Sequence, residues 1–276
     1  MHVAERDTIY WLGNAFRRLA YRAWGDAAAP AVLCVHGLTR NGRDFDALAA
    51  VLAENFFVVC PDLPGRGRSD WLEDANLYQP ASYVAALTSL LAVIGRPVDW
   101  VGTSLGGICG MLAAAAPGAP IRRFVLNDIG PFVPASALER LRAYVGSEPV
   151  FTNLAAAEAY LRQVHAPFGH LTDAQWHHLA ETSVRARPDG TLTLHYDPAI
   201  AVPMRAGDVQ PIDLWPVWER IELPMLVLRG ADSDLLLPET LQRMGAKATT
   251  HVVPDCGHAP ALMDAPTIAV IREFLS

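Results

Sequence analysis

A serine hydroxyl is a weak nucleophile until a base takes its proton and a carboxylate orients that base. The chain carries a serine whose surroundings suit this role. Gly102-Thr103-Ser104-Leu105-Gly106 is a G-x-S-x-G pentapeptide. The apolar strand pattern Val98–Thr103 precedes it and the apolar helical pattern Leu105–Ala116 follows. A serine on such a strand-to-helix turn is pushed out of the sheet, its Oγ open to substrate. The glycines two positions to either side let the two backbones approach closely. Ser104 also opens a helix, where partial positive charge favours a developing alkoxide and oxyanion. The Leu105 N–H is the expected oxyanion donor. The alternative is a helix N-cap serine among chance glycines. The strand before, the helix after and the additional Gly107 weigh against it.

Nine histidines compete for the role of base. His258 stands out, in Asp255-Cys256-Gly257-His258-Ala259-Pro260, between the last strand pattern and the closing helix. His36, before Gly37 at a strand end, reads as a structural hydrogen-bonding residue. His165, His170, His177, His178 and His195 fall in a helical middle segment. Adjacent His177-His178 invites a metal reading, but no Cys or carboxylate at ligand spacing accompanies the pair. A partly exposed helical pair is expected, and no metal. Three aspartates compete as the acid. Asp234 and Asp232 lie in Arg229-Gly230-Ala231-Asp232-Ser233-Asp234-Leu235-Leu236-Leu237-Pro238, where Asp232 also reads as a turn former. Asp128 follows the strand pattern Ile121–Asn127 and is also a candidate substrate-binding residue. The chain order Ser…Asp…His holds for all three and cannot decide between them.

Positioning these groups takes an alternation of strands and helices. Thr8–Trp11, Leu19–Trp24, Ala31–Val35, Phe56–Cys60, Val98–Thr103, Ile121–Asn127, Pro224–Leu228 and Thr250–Val253 read as strands. Asp44–Glu54, Pro80–Ile94, Leu105–Ala116, Glu239–Met244 and Ala265–Leu275 read as helices between or after them. The rhythm breaks from about Pro131 to Ile221. Ala135–Val145, Leu154–Val164, Ala174–Val184 and Ile212–Ile221 are helical patterns, and TLTLHYDP after Asp189-Gly190 is a short extended stretch. The expected organisation is an α/β core, 1–130 and 222–276, with a helical cap, 131–221, over the sheet's C-terminal edge. The cap offers Tyr144, Trp215 and Trp218 as pocket candidates, although packing is the plainer reading of each, since amphipathic cap helices need a core of their own. Arg40 follows the Ala31–Val35 strand closely. A paired, structural arginine is the plainer reading; an Arg40 that lines the site favours a substrate with a carboxylate.

Composition bounds the class. The 276 residues are 51% hydrophobic and 18% charged, with a formal net charge of −7. This fits a compact globular enzyme and excludes a disordered chain. No basic cluster appears, so no nucleic-acid partner is expected. The apolar runs are too short to span a bilayer, so no membrane partner is expected either. The N-terminal stretch carries Glu5 and Asp7 and no apolar h-region, so it does not read as a secretory signal. Cys34, Cys60, Cys109 and Cys256 form no C-x-x-C pair and read as reduced, buried thiols of a cytoplasmic protein. A monomer or homodimer is expected.

Five ordered elements together resemble the α/β-hydrolase superfamily. They are His36-Gly37, Asp62-Leu63-Pro64-Gly65-Arg66-Gly67-Arg68-Ser69, Gly102–Gly106, Gly230–Asp234 and Gly257-His258. The resemblance covers essentially the whole chain and is nearest to cap-bearing serine esterases. It implies a mostly parallel eight-stranded sheet, helices on both faces, a helical cap between the sixth and seventh strands, and no cofactor. It implies that His36-Gly37-Leu38-Thr39 faces the nucleophile and that the Leu38 N–H completes the oxyanion hole. It implies that the D-x-P-G-x-G-x-S turn packs beneath the site. Among relatives the spacing to Pro238 selects Asp234 as the acid, ahead of Asp232 and then Asp128.

A serine nucleophile sets the chain apart from the haloalkane dehalogenases and epoxide hydrolases of the superfamily, which use aspartate. The expected function is hydrolysis of a small to medium carboxylic ester through an acyl-enzyme. A hydrolase of amides, lactones or carbon–carbon bonds is the first alternative, supported if Arg40 or Arg142 binds a carboxylate. A ligand-binding receptor on the same fold is the second.

Overall fold

The computed structural model describes residues 3–276. Met1 and His2, which begin the N-terminal stretch read above for a leader, lie outside the described residues. β1 (Val3–Leu12) and β2 (Ala15–Trp24) form an antiparallel hairpin. It is longer than its apolar pattern because its outer half is exposed and carries polar residues. β3 (Ala31–Val35), β4 (Phe57–Pro61), β5 (Val98–Thr103) and β6 (Ile121–Asn127) follow. Four short strands lie outside the main sheet. β7 (Phe132–Val133) pairs with β10 (Ile212–Asp213), and β8 (Val184–Ala186) with β9 (Leu192–Leu194). β11 (Met225–Gly230) and β12 (Thr249–Val253) return to it. The order across the eight strands is β1-β2-β4-β3-β5-β6-β11-β12, and β2 alone runs against the rest. This is the mostly parallel sheet expected from the sequence.

Strand residues alternate between two cores. Leu33, Trp100, Phe124 and Val227 face one layer, which holds α2 (Pro80–Ile94) and α3 (Leu105–Ala114). Cys34, Val101, Val125 and Leu226 face the other, which holds α1 (Asp46–Leu52) and the closing helix Ala265–Leu275. Both faces are covered, so β3 is buried at all five positions. Each fully buried apolar side chain contributes about 1.5–3 kcal/mol. Helix ends follow local chemistry. Pro80 starts α2, and Gly95 ends it in the left-handed conformation at φ 69°.

Between β6 and β11 the chain leaves the sheet. It forms α4 (Ala135–Tyr144), α5 (Leu154–Val164), α6 (Asp173–Ser183) and two single turns, α7 (Val202–Arg205) and α8 (Trp215–Trp218). The helix expected over Ile212–Ile221 is mostly absent. Ile212 and Asp213 pair with β7 instead, and Asp213 Oδ1 caps the turn at the Trp215 N–H, 3.0 Å away. Pro216 sits in the first turn of α8, where its missing N–H is tolerated; further into a helix it would break the ladder. α9 (Pro238–Met244) and α10 (Ala265–Leu275) complete the chain. The four cysteines are free and buried. His177 is flanked by Glu158 of α5, distant in sequence, and by Glu181 one helical turn on along α6, which corrects the expectation that no carboxylate accompanies the pair. No helix among the described residues is long and apolar enough to cross a membrane.

β3 ends in a fully buried histidine. His36 Nδ1–H donates to its neighbour Gly37 O at 2.7 Å, and Nε2 accepts the Leu63 N–H at 2.8 Å. Acceptance at Nε2 requires the neutral ring. Burial pushes its pKa down to about 3. The unfolded chain takes up a proton near the ordinary value and the folded chain refuses it. Stability is therefore full above about pH 6.5 and falls below it, by up to ~1.4 kcal/mol per pH unit for each such histidine. Urea unfolding at about pH 7 and pH 5.5 checks this. The wild type is expected to lose at least about 1 kcal/mol on acidification, and His36→Gln about 1 kcal/mol less than that. Equal losses in both proteins would contradict the assignment.

Candidate active site

Ser104 sits on a strained turn between β5 and α3. Its φ of 51° lies in the left-handed region, which costs a non-glycine residue about 1–3 kcal/mol. Surrounding bonds hold it there. Its N–H donates to Asn127 O at 3.0 Å, and its carbonyl accepts from Gly107 and Ile108 N–H at 2.8 and 3.0 Å. The flanking glycines make the turn possible. A Cβ on Gly102 would come 2.5 Å from the Gly106 carbonyl, and one on Gly106 would collide with the Val35 carbonyl.

His258 Nε2 lies 2.9 Å from Ser104 Oγ, and His258 Nδ1 lies 2.7 Å from Asp128 Oδ2. The carboxylate on the histidine is therefore Asp128, which corrects the sequence-based choice of Asp234. Asp128 is fully buried at the end of β6. Its Oδ1 accepts the Gly230 N–H at 2.8 Å, and its Oδ2 also accepts the Ser233 hydroxyl at 2.6 Å. The end of β11 and the loop after it thus supply donors to this carboxylate and not the carboxylate itself. Asp234 points outward from that loop, half exposed, and pairs bidentately with Arg140 of α4 at 2.6 and 2.8 Å. Asp232 is exposed as well. Buried behind the histidine, Asp128 also lies out of reach of substrate, so its assignment as a pocket residue is corrected too.

Leu38 and Leu105 both line the space around Ser104. The Leu105 N–H is the first of α3 and has no acceptor within the helix. The Leu38 N–H shares its peptide plane with the Gly37 carbonyl, which His36 Nδ1–H holds at 2.7 Å, and the next carbonyl, that of Leu38, accepts from Arg66 Nε at 2.8 Å. Arg66 is fully buried between the Tyr78 and Tyr83 rings, and its Nη1 bonds Pro64 O and the Tyr83 hydroxyl. Asp62 of the same turn accepts the Gly42 and Arg68 N–H groups. The D-x-P-G-x-G-x-S segment therefore braces the loop that carries Leu38.

Two cavities meet at Ser104. One, of about 220 Å³, is apolar and includes Leu105, Ile108, Ile129, Leu138 and Met204. The other, of about 70 Å³, includes His258, Arg40, Arg140, Tyr144 and His165. Arg40 lines it but is committed. Its guanidinium grips Asp44 at 2.6–3.2 Å and Ser183 at 2.7 Å. Burial, with the Arg40 charge behind it, holds His165 well below the ordinary imidazole range, so its ring is neutral. Burial also raises the Tyr144 phenol. Trp215 and Trp218 do not line either cavity. Trp215 lies under the Arg243 guanidinium, 3.6 Å from ring centre, and Trp218 is buried in the core. The hydrophobic demand of α8 claims both rings. Arg142 bonds the Arg205 and Gly207 carbonyls, away from the site. Sequence reasoning missed Arg140, although it lies one helical turn before Tyr144, and gave His165 no role. Among the described residues no group of three His, Cys, Asp or Glu side chains could hold a metal ion.

This geometry can pass a proton from Ser104 Oγ to a histidine whose tautomer Asp128 fixes. Replacing Asp128 by Asn removes that control. Asp128→Asn is expected to lower kcat/KM on a short p-nitrophenyl ester by about 10³–10⁴-fold, and Asp234→Asn by less than about tenfold. The reverse order would return the acid to Asp234.

Comparison with known proteins fits this geometry. Residues 32–273 match the model of the Alpha/beta hydrolase family. The chain is 46% identical over 274 residues to a 3-hydroxybutyrate-oligomer hydrolase of Cupriavidus necator, covering 94% of this chain and 93% of that one. It is 28% identical over 250 residues to an esterase of Mycobacterium tuberculosis, covering 86% and 78%. Among solved structures, an alpha/beta hydrolase from Novosphingobium aromaticivorans is similar with TM-score 0.88 and 38% identity, over 99% of this chain and 98% of that one. A putative hydrolase from Rickettsia typhi is similar with TM-score 0.92 and 29% identity, over 100% and 99%. The chain belongs to the alpha/beta hydrolase family.

Proposed function

We propose that the protein hydrolyses short carboxylic esters, of the kind formed between hydroxy acids, through an acyl-enzyme on Ser104. The observation that carries this is the continuous relay Ser104 Oγ–His258–Asp128, with contacts of 2.9 and 2.7 Å. The hydroxy-acid ester is the substrate class suggested by the 3-hydroxybutyrate-oligomer hydrolase to which the chain is 46% identical.

His258 Nε2 takes the proton as Ser104 attacks the ester carbonyl. The Leu38 and Leu105 N–H groups receive the oxyanion, each donor supplying about 3 kcal/mol of transition-state stabilisation. Asp128 stabilises the imidazolium across its 2.7 Å contact. His258 then protonates the leaving alcohol oxygen, and the serine keeps the acyl group. Water enters, His258 deprotonates it, and its oxygen displaces Ser104 to release the acid. Segment 131–221 acts as the cap: α4 and α5 contribute Leu141, Tyr144 and Val164 to the cavity walls. Water exclusion by these walls strengthens the electrostatic contacts inside.

A second reading is hydrolysis of an amide-bearing carboxylic acid. It is supported by 28% identity over 238 residues to a 2-(acetamidomethylene)succinate hydrolase of Mesorhizobium japonicum. Steady-state hydrolysis of p-nitrophenyl butyrate by the wild type and Ser104→Ala tests the ester reading. Turnover is expected in the wild type and a kcat at least about 10⁴-fold lower in the variant. Turnover that survives the substitution would place the nucleophile elsewhere. A wild type inactive on esters but active on acetamido acids would favour the second reading.

A further inference from the structure

The two cavities at Ser104 are not equivalent, because His258 lines only one of them. The imidazole must hand its proton to the leaving oxygen, so the alcohol half of an ester leaves on the side His258 lines. The acyl half then lies in the apolar cavity, against Leu105 and Ile108. The alcohol cavity is the more polar of the two, and its basic residues decide what the alcohol half carries. Arg40 is held by Asp44 and Ser183. His165 is neutral. Arg140 is different. Its Nε and Nη2 hold Asp234, its side chain is 41% exposed, and Nη1 has no part in the Asp234 pair. It reaches the cavity from the rim, one turn before Tyr144 on α4.

We propose that Arg140 is the specificity-determining residue for a carboxylate on the alcohol half of the ester, with Asp234 as its competing internal anion. This rests on the ester reading above and narrows it. An ester whose leaving alcohol is itself a hydroxy acid presents that carboxylate, and an oligoester is then cleaved at its carboxyl end, one unit at a time. A guanidinium suits the task because it presents several N–H donors in a fixed plane and can hold Asp234 with one edge while it meets substrate with another. The ion pair is half exposed, so Asp234 screens the arginine only in part.

The two members of the pair make opposite predictions, which a purely structural salt bridge does not. The test compares kcat and KM for 3-(butanoyloxy)butanoate and for its methyl ester, in the wild type, Arg140→Gln, Arg140→Lys and Asp234→Asn. The wild type is expected to prefer the free acid. Arg140→Gln is expected to cut the acid-to-methyl-ester preference by about tenfold or more, through KM, and Arg140→Lys to keep part of it. Asp234→Asn is expected to raise the preference, since it removes the competing charge. Thermal unfolding reports whether each variant is folded. A preference unchanged by Arg140→Gln, or shifted the same way by both Arg140→Gln and Asp234→Asn, overturns the assignment. A wild type that hydrolyses p-nitrophenyl butyrate yet treats acid and methyl ester alike overturns it and leaves the ester reading standing. A wild type that hydrolyses none of the three esters overturns both.

Discussion

A carboxylate buried without exposure is expensive unless donors surround it. Asp128 meets this condition with three: the Gly230 N–H, the Ser233 hydroxyl and His258 Nδ1–H. These come from the end of β11, from the loop after it and from the loop before α10, while Asp128 directly follows β6. One buried charge therefore ties three segments that are distant in sequence, and the site depends on that tie. Losing any donor would leave a charge with unfilled acceptor sites in a dry place. The same carboxylate fixes which nitrogen of His258 carries the proton, so the structural tie and the chemistry are one interaction.

The second constraint is geometric. Ser104 stands at positive φ because β5 and α3 approach so closely that Gly102 and Gly106 admit no Cβ. The strain is held in place by the Asn127 carbonyl behind it and by the first turn of α3 in front. Asn127 is buried and also binds the Thr103 hydroxyl and the Pro260 carbonyl. Asn127 and Asp128 thus steady the Ser104 turn and the histidine from adjacent positions. On the opposite side, Arg66 steadies the Leu38 peptide. The proposed reaction asks few groups to move, since most side chains around Ser104 and His258 are already held by hydrogen bonds.

Much of this was legible in the sequence. The apolar run of β3 is continuous, as in buried parallel strands, and those of β5 and β6 are broken only by Asp99 and by Arg122-Arg123, so the bounds of all three were readable to the residue. The G-x-S-x-G turn and the histidine before the last helix carried local signatures that need no tertiary knowledge. The acid did not. All three aspartates satisfy the chain order, and only the fold shows that Gly230 and Ser233 turn inward while Asp234 turns out to Arg140. The ladders of the inserted segment were also hidden, since β7 and β10 are two residues each and pair across some 80 positions of sequence. Trp215 and Trp218 were pocket candidates for which packing was the plainer reading, and packing claims both because α8 has no other apolar residues of their size to bury. Arg140 was invisible for a related reason. Its meaning comes from Asp234 and from the cavity beside it, neither of which is near it in sequence.

The most direct test of Ser104, His258 and Asp128 as one catalytic unit is covalent labelling by a fluorophosphonate, read by intact-protein mass and peptide mapping. The expected result is a single adduct on the peptide containing Ser104, formed rapidly in the wild type, much more slowly in Asp128→Asn, and at close to the wild-type rate in Asp234→Asn. An adduct on another residue, or slow labelling in Asp234→Asn with rapid labelling in Asp128→Asn, would contradict it.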